Sequence, residues 1–134
     1  MPTTTAQITL SSADLTGDAL QLTSLSTLTG HASNAGLSHT TGVNRITFAT
    51  AQTAYPLVKA SDYSGPAKAH KIYIKNLSSS NSEFVNLEIG GGQTTIGRLY
   101  GGDWAFLPFD GTNDLDIDTS ANAMSIEYMV IYEQ

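Results

Sequence analysis

From Val43 onward the chain is cut into short runs in which apolar and polar residues alternate, and Gly, Asn, Asp or Pro ends each run within about ten residues. A period of two places successive side chains on opposite faces of an extended segment, so each run offers one face to a core and one to water. Ile46 and Phe48 alternate with Arg45 and Thr47, and Lys71-Ile72-Tyr73-Ile74-Lys75 repeats the pattern. Met124, Ile126, Tyr128, Val130 and Tyr132 share one face of the last run. Between them lie Tyr55–Val58, Phe84–Ile89, Thr94–Tyr100, Trp104–Phe109 and Leu115–Ile117. They are separated by the polar cluster Asn76–Ser82 and by Gly90-Gly91-Gly92, Gly101-Gly102 and Asp110-Gly111. Pro56 cannot donate to a ladder and confines its segment to an edge or a strand start. This punctuation predicts an all-β fold: a single antiparallel β-sandwich, jelly-roll-like, with eight or nine short strands. No internal repeat of solenoid or propeller length is present.

The first 44 residues lack such punctuation. Leu22, Leu25 and Leu28 stand three apart, as on a helix, but Thr23, Ser24, Ser26 and Thr27 between them are poor helix formers. The start, Pro2-Thr3-Thr4-Thr5-Ala6-Gln7-Ile8-Thr9-Leu10, reads as an extended arm over residues 1–15 ahead of a sandwich domain over 16–134. Such an arm would dock on a neighbouring subunit by adding a strand, with Thr3, Thr5, Gln7, Ile8 and Leu10 as its interface residues. The alternative is a frayed terminus.

Charge narrows the function classes. Twelve acids face six bases for a formal charge of −6, whereas Ser and Thr together number 31. All six bases lie between Arg45 and Arg98, and seven acids with no base follow from Asp103. A chain of pI about 4.7 without a Lys/Arg cluster is not expected to bind nucleic acid, whose affinity comes largely from neutralised phosphates. The absence of cysteine removes disulfides, thiolate metal sites and cysteine catalysis. No apolar run approaches bilayer length and no secretory leader pattern is visible, so the expectation is a soluble protein that is not exported and has no membrane partner.

Motifs for chemistry fail at their key residues. Gly92-Gln93-Thr94-Thr95-Ile96-Gly97-Arg98 has phosphate-loop spacing, but Arg98 stands where Lys is needed and a strand follows in place of a helix. Asp110, Asp114, Asp116 and Asp118 resemble a calcium loop, yet the sixth and twelfth positions are Leu115 and Ala121, not Gly and Glu. Asp114, Asp116 and Asp118 are expected instead on the solvent face of an edge strand, where like charges discourage sticking. His31, His39 and His70 lack zinc spacing, and Ser38-His39 has no nucleophile elbow around it. Neither Glu83, Glu88 nor Asp103 is singled out as a member of a glycosidase pair. Asn76-Leu77-Ser78 matches a glycosylation sequon that a chain so rich in Ser and Thr produces by chance. Trp104, Phe106 and Phe109 are expected in the core, Trp104 largely buried, with a sugar-stacking platform as the alternative. A non-enzymatic protein without metal or cofactor follows as the expectation.

Residues 69–134 carry a resemblance. HKIYIKNLSSSNSEFVNLEIGGG, followed by RLYGGDWAFLPFDGTNDLDIDTSANAMSIEYMVIYEQ, is similar to the ending of small all-β virion proteins of tailed bacteriophages. In these a strand ending in Lys-Asn precedes a polar loop, Gly-Gly-x-aromatic leads into an apolar strand ending in Pro, and an Asp-rich strand precedes a final "IEY" strand. The resemblance implies a virion structural protein assembled in the host cytoplasm. Its most direct form is a capsid decoration (cement) protein that binds the major capsid protein or other virion proteins. A neck or tail component, or a carbohydrate-binding β-sandwich, are the alternatives. Joined to the low surface charge, it implies a homo-oligomer, a trimer by the threefold positions that such proteins occupy.

Overall fold

The protein is described by a computed structural model covering all residues except 1, 2, 18, 33, 34, 64, 66, 67 and 93, with only the backbone of Thr16. Pro2, Asp18 and Gln93 therefore lie outside the described residues. Eleven strands and two single 3₁₀ turns make up the regular structure, with no α-helix among the described residues. The strands are β1 (Thr4–Ser12), β2 (Leu20–Leu28), β3 (His39–Thr40), β4 (Asn44–Thr47), β5 (Tyr55–Val58) and β6 (His70–Asn76). They continue as β7 (Phe84–Ile89), β8 (Thr94–Tyr100), β9 (Trp104–Phe109), β10 (Leu115–Thr119) and β11 (Ser125–Tyr132).

Two sheets face each other. One runs β5-β10-β7-β8; the other runs β3-β11-β6-β9, with β4 pairing the same edge of β11 as β3. All pairings within both are antiparallel. Counting from β4 as the first of eight, the orders become 1-8-3-6 and 2-7-4-5, the paired Greek keys of a jelly roll. Alternation built this arrangement. In β6, His70, Ile72, Ile74 and Asn76 are buried while Lys71, Tyr73 and Lys75 face outward. Ile126 and Val130 from β11, Leu115 and Ile117 from β10, and Val85 and Leu87 from β7 complete the dry interior.

The aspartate strand departs from expectation. β10 is not an edge: β5 pairs it on one side and β7 on the other. Its alternation is as read, but loops cover the polar face, and Asp116 is only 3% exposed. Each carboxylate accepts a loop N–H: Asp114 from Ala60 at 2.8 Å, Asp118 from Ala54 at 2.7 Å and Asp116 from Gly92 at 3.1 Å. Opposite Asp116, burial and then the charge of Asp118 push the Glu88 carboxyl above its usual range, and Thr95 donates to it at 3.2 Å. The three aspartates are loop anchors, with no like-charge edge to defend.

Two buried polar side chains close the ends of the β6 row. Asn76 donates through Nδ2 to the Leu99 and Glu83 carbonyls and accepts from the Ser78 N–H at 3.0 Å, so the sequon asparagine is a fully buried brace between β6, β8 and a turn. His70 sits among Tyr63, Phe109 and Tyr132, with ring centroids 5.4 Å from Tyr63 and 5.7 Å from Phe109. Neither ring nitrogen has a hydrogen-bond partner. Burial holds its pKa below the ordinary imidazole value. The Phe109 backbone, near but outside hydrogen-bond geometry, offsets part of this with Glu133 and Asp110, and Lys71 adds to the lowering.

Asn76→Ala should cost about 2–4 kcal/mol in urea unfolding, because buried carbonyls and an N–H lose their partner; a loss under about 0.5 kcal/mol would show that water replaces the amide. His70 is neutral when folded and takes up a proton more readily when unfolded. Its contribution is therefore present above the unfolded value near 6.5 and declines as pH falls below it. The melting temperature should drop more between pH 7.5 and 5.5 in the wild-type protein than in His70→Phe, measured side by side; equal drops would remove His70 as the cause.

Candidate functional site: a groove beneath the N-terminal hairpin

β1 and β2 form a two-stranded ribbon that pairs with neither sheet of the sandwich. Its register sets Thr4 opposite Leu28, Ile8 opposite Ser24, Leu10 opposite Leu22 and Ser12 opposite Leu20. Opposed residues share a face. One face therefore carries Ala6, Ile8, Leu10, Leu20, Leu22 and Leu28, and the other carries Thr5, Gln7, Thr9, Ser11, Gln21, Thr23 and Thr27, with Leu25 as its one large apolar residue. Bare hairpins are marginal in water, so the base of this one is tied down. Leu28 and Leu37 are buried, Leu37 donates its N–H to the Leu28 carbonyl at 3.2 Å, and Thr4 Oγ1 donates to the Leu37 carbonyl at 3.0 Å. Beyond it, Glu133 Oε2 accepts the N–H groups of His31 at 2.8 Å and Ala69 at 3.1 Å. These hydrogen bonds, His31's first, hold the Glu133 carboxyl below its usual range.

The apolar face looks across a groove of about 1150 Å³ at the sandwich. Ala6, Ile8, Leu10 and Leu28 form one wall; Tyr73, Lys75, Leu99, Trp104, Ala105 and Phe106 form the other. The register of β9 on β6 decides which aromatics reach it. Trp104 lies opposite Lys75 and Phe106 opposite Tyr73, both on the outward row, whereas Ala105, Leu107 and Phe109 oppose the inward Ile74, Ile72 and His70. Trp104 is 51% exposed and Phe106 39%, which corrects the expectation that both belong to the core; only Phe109 does. The Gly101-Gly102 turn delivers Trp104 to this position. A Cβ on Gly101 would overlap the Ser80 carbonyl oxygen, and Gly102 sits at φ 86°. Asp103 accepts the Tyr100 N–H at 2.9 Å, which keeps its carboxylate on the turn.

Behind Tyr73 the outer face is polar. Tyr73 donates to Glu127 Oε1 at 3.0 Å, and Arg45 Nε donates to Glu127 Oε2 at 2.8 Å. The Arg45 hydrogen bond and then that of Tyr73 hold the Glu127 carboxyl low, while burial and then its own bond to Glu127 push the Tyr73 hydroxyl up.

Among the residues expected at an interface, Ile8 and Leu10 lie on the apolar face and line the groove, and Gln7 lies at its margin. Thr3 and Thr5 are exposed outside it. The arm that these residues belong to already pairs with β2 of its own chain. Leu20, Leu22, Tyr73 and Lys75 are not among the expected interface residues; period-two spacing of Leu20 and Leu22 was the available signal. The residues of the remaining motifs make the following contacts. Arg98 stacks over the Phe84 ring at 3.9 Å and donates to Asn86, Ser38 Oγ meets His39 Nδ1 at 2.7 Å beside Tyr132, and Glu83 accepts from Ser78. Compared with known proteins, the chain matches no family model, no curated protein and no solved structure.

Trp104→Ala should therefore cost about 1 kcal/mol, against about 3–4 kcal/mol for Ile74→Ala at a fully buried position. Paired urea titrations check this, and equal losses would return Trp104 to the core.

Proposed function

We propose that this chain is a non-enzymatic structural protein of a tailed-bacteriophage virion, and within that class a capsid decoration (cement) protein that binds the outer surface of the head and stabilises it. The observation that carries the reading is the hairpin: an apolar face on a ribbon outside the sandwich, with Leu10, Leu20 and Leu22 at 43%, 39% and 48% exposure. Soluble monomers rarely leave such a surface open unless another protein covers it. The similarity of residues 69–134 to virion proteins supports the same reading. The jelly roll is compatible with it, since that architecture serves capsid domains, although it serves lectins equally and names no function alone. The protein acts as a closed homo-oligomer, a trimer, on the virion; a neck or tail position would use the same surface.

A carbohydrate-binding role is the second reading. The outward pair Trp104 and Phe106, with Lys75 and Gln7 beside them in the groove, favours it.

Purified heads or whole particles lacking this protein, mixed with it and pelleted through sucrose, should carry it down at a saturable ratio and lose their contents at a higher temperature. Absence from the pellet at micromolar concentration, together with Trp104-dependent signals on a glycan array, would replace the virion reading with the carbohydrate one.

A further inference from the structure

The groove is only partly used by its own hairpin. Leu28, Ala6, Ile8 and Leu10 stand over it, but Leu20 and Leu22, on the same apolar face toward the ribbon's turn, do not line it. The molecule thus presents two unlike apolar surfaces: a projecting tip with Leu20 and Leu22, and a groove floored by Trp104 and Phe106.

The geometry points to a second copy of this chain as the groove's occupant, its hairpin tip seated against Trp104 and Phe106 of the first. The inference rests on the assembly reading above and names the surface through which copies join. Three features select a like chain. Size is the first. Ile8, Leu10, Leu20, Leu22, Trp104 and Phe106, each 39–51% exposed, leave roughly 500 Å² of apolar surface open, the scale of the largest patch on a monomer. In a head-to-tail contact one copy's tip meets the next copy's groove, so this is the apolar area of both sides of one contact, and with its Ser and Thr rim it stands at the small, weakly associating end of specific interfaces.

Charge is the second. In a chain of net charge −6, the first 44 residues hold only two charged side chains, Asp14 and Asp18, and Asp14 follows β1 at the ribbon's turn. Lys75 lines the groove, Lys71 follows it on the same outward row of β6, and neither forms an ion pair among the described residues. Asp14, carried in with a tip that enters past Leu20 and Leu22, meets this lysine row; the one acid in the groove's lining, Asp103, is turned onto the Tyr100 N–H.

Closure is the third. Tip and groove are different patches on one chain, so the contact is head-to-tail and buries every copy's tip and groove only when it closes into a ring. A ring suits a decoration protein, because it leaves the rest of each sandwich free for the particle.

Trp104 is the only tryptophan and lies in the groove, so the full chain reports on its own association. From tens of nanomolar to 100 µM, sedimentation velocity should show a shift from monomer to a discrete oligomer, and Trp104 emission should move to the blue in step. Leu22→Glu alters the tip and Phe106→Glu alters the groove at exposed positions, and unchanged circular dichroism establishes that each variant folds. Each alone should associate at least tenfold more weakly than wild type. Their mixture should form a one-to-one pair, since a Phe106→Glu tip can still enter a Leu22→Glu groove. A wild-type chain that stays monomeric at 100 µM with constant Trp104 emission overturns the inference, as does a mixture that stays monomeric while wild type associates. Emission that shifts only when heads are added would assign the groove to a capsid protein, overturning self-association while leaving the virion reading in place. Association without any binding to heads would do the reverse.

Discussion

Closure of the sandwich rests on the inward rows of its central strands. β11 and β6 pair residues about fifty positions apart, and β10 and β7 join Asp116 to Glu88 and Thr119 to Val85. Ile72, Ile74, Ile117 and Ile126 from these strands are wholly buried. At roughly 25 cal/mol per Å² of apolar surface, that row supplies the free energy from which polar burial elsewhere is met. Asn76, Asp116, Glu88 and His70 all sit in or beside these four strands, where the surrounding backbone is already fixed. Placing a carboxylate where it can accept a loop N–H costs little more once the strand beneath it cannot move.

That order of dependence explains why the outer surfaces are so sparsely charged. β10 needs no like-charge defence because it is interior, and its aspartates are occupied with Ala54, Ala60 and Gly92. The outer row of the other sheet combines aromatic and aliphatic side chains with a few paired or lone charges, Arg45 with Glu127 and the two lysines of β6 among them. A surface of this kind discriminates by shape and hydroxyl contact more than by long-range charge.

Most of the eight jelly-roll strands were legible because they alternate and end on glycine, proline or a polar turn; β5, with Leu57 and Val58 buried side by side, and β8, with Leu99 as its one buried residue, were marked by their turns alone. Their pairing order was not, since it depends on which inward rows meet across the core. Trp104 shows the limit of parity. Trp104 and Phe106 lie on one face of β9 and Ala105, Leu107 and Phe109 on the other; both rows are apolar, so alternation sorts them without saying which is inside. The partner strand decided it, by setting Trp104 beside Lys75. For the aspartates, parity was right and exposure wrong, because the covering loops come from residues far away in sequence. The hairpin was missed for a different reason: leucines among Ser and Thr satisfy a three-residue and a two-residue period at once.

The ribbon also differs from the sandwich in when it forms. Its strands are joined through residues 13–19 alone, whereas β4 waits for β11, about eighty residues on. Hairpins close in microseconds, and long-range β pairing takes milliseconds to seconds. During folding the leucine face is therefore assembled before Trp104 and Phe106 exist as a wall opposite it, and it carries no charge of its own to keep two nascent chains apart. The leucine face is at once the most local structure in the protein and its earliest aggregation hazard, and rapid synthesis at high concentration will be limited by that interval more than by the stability of the finished fold.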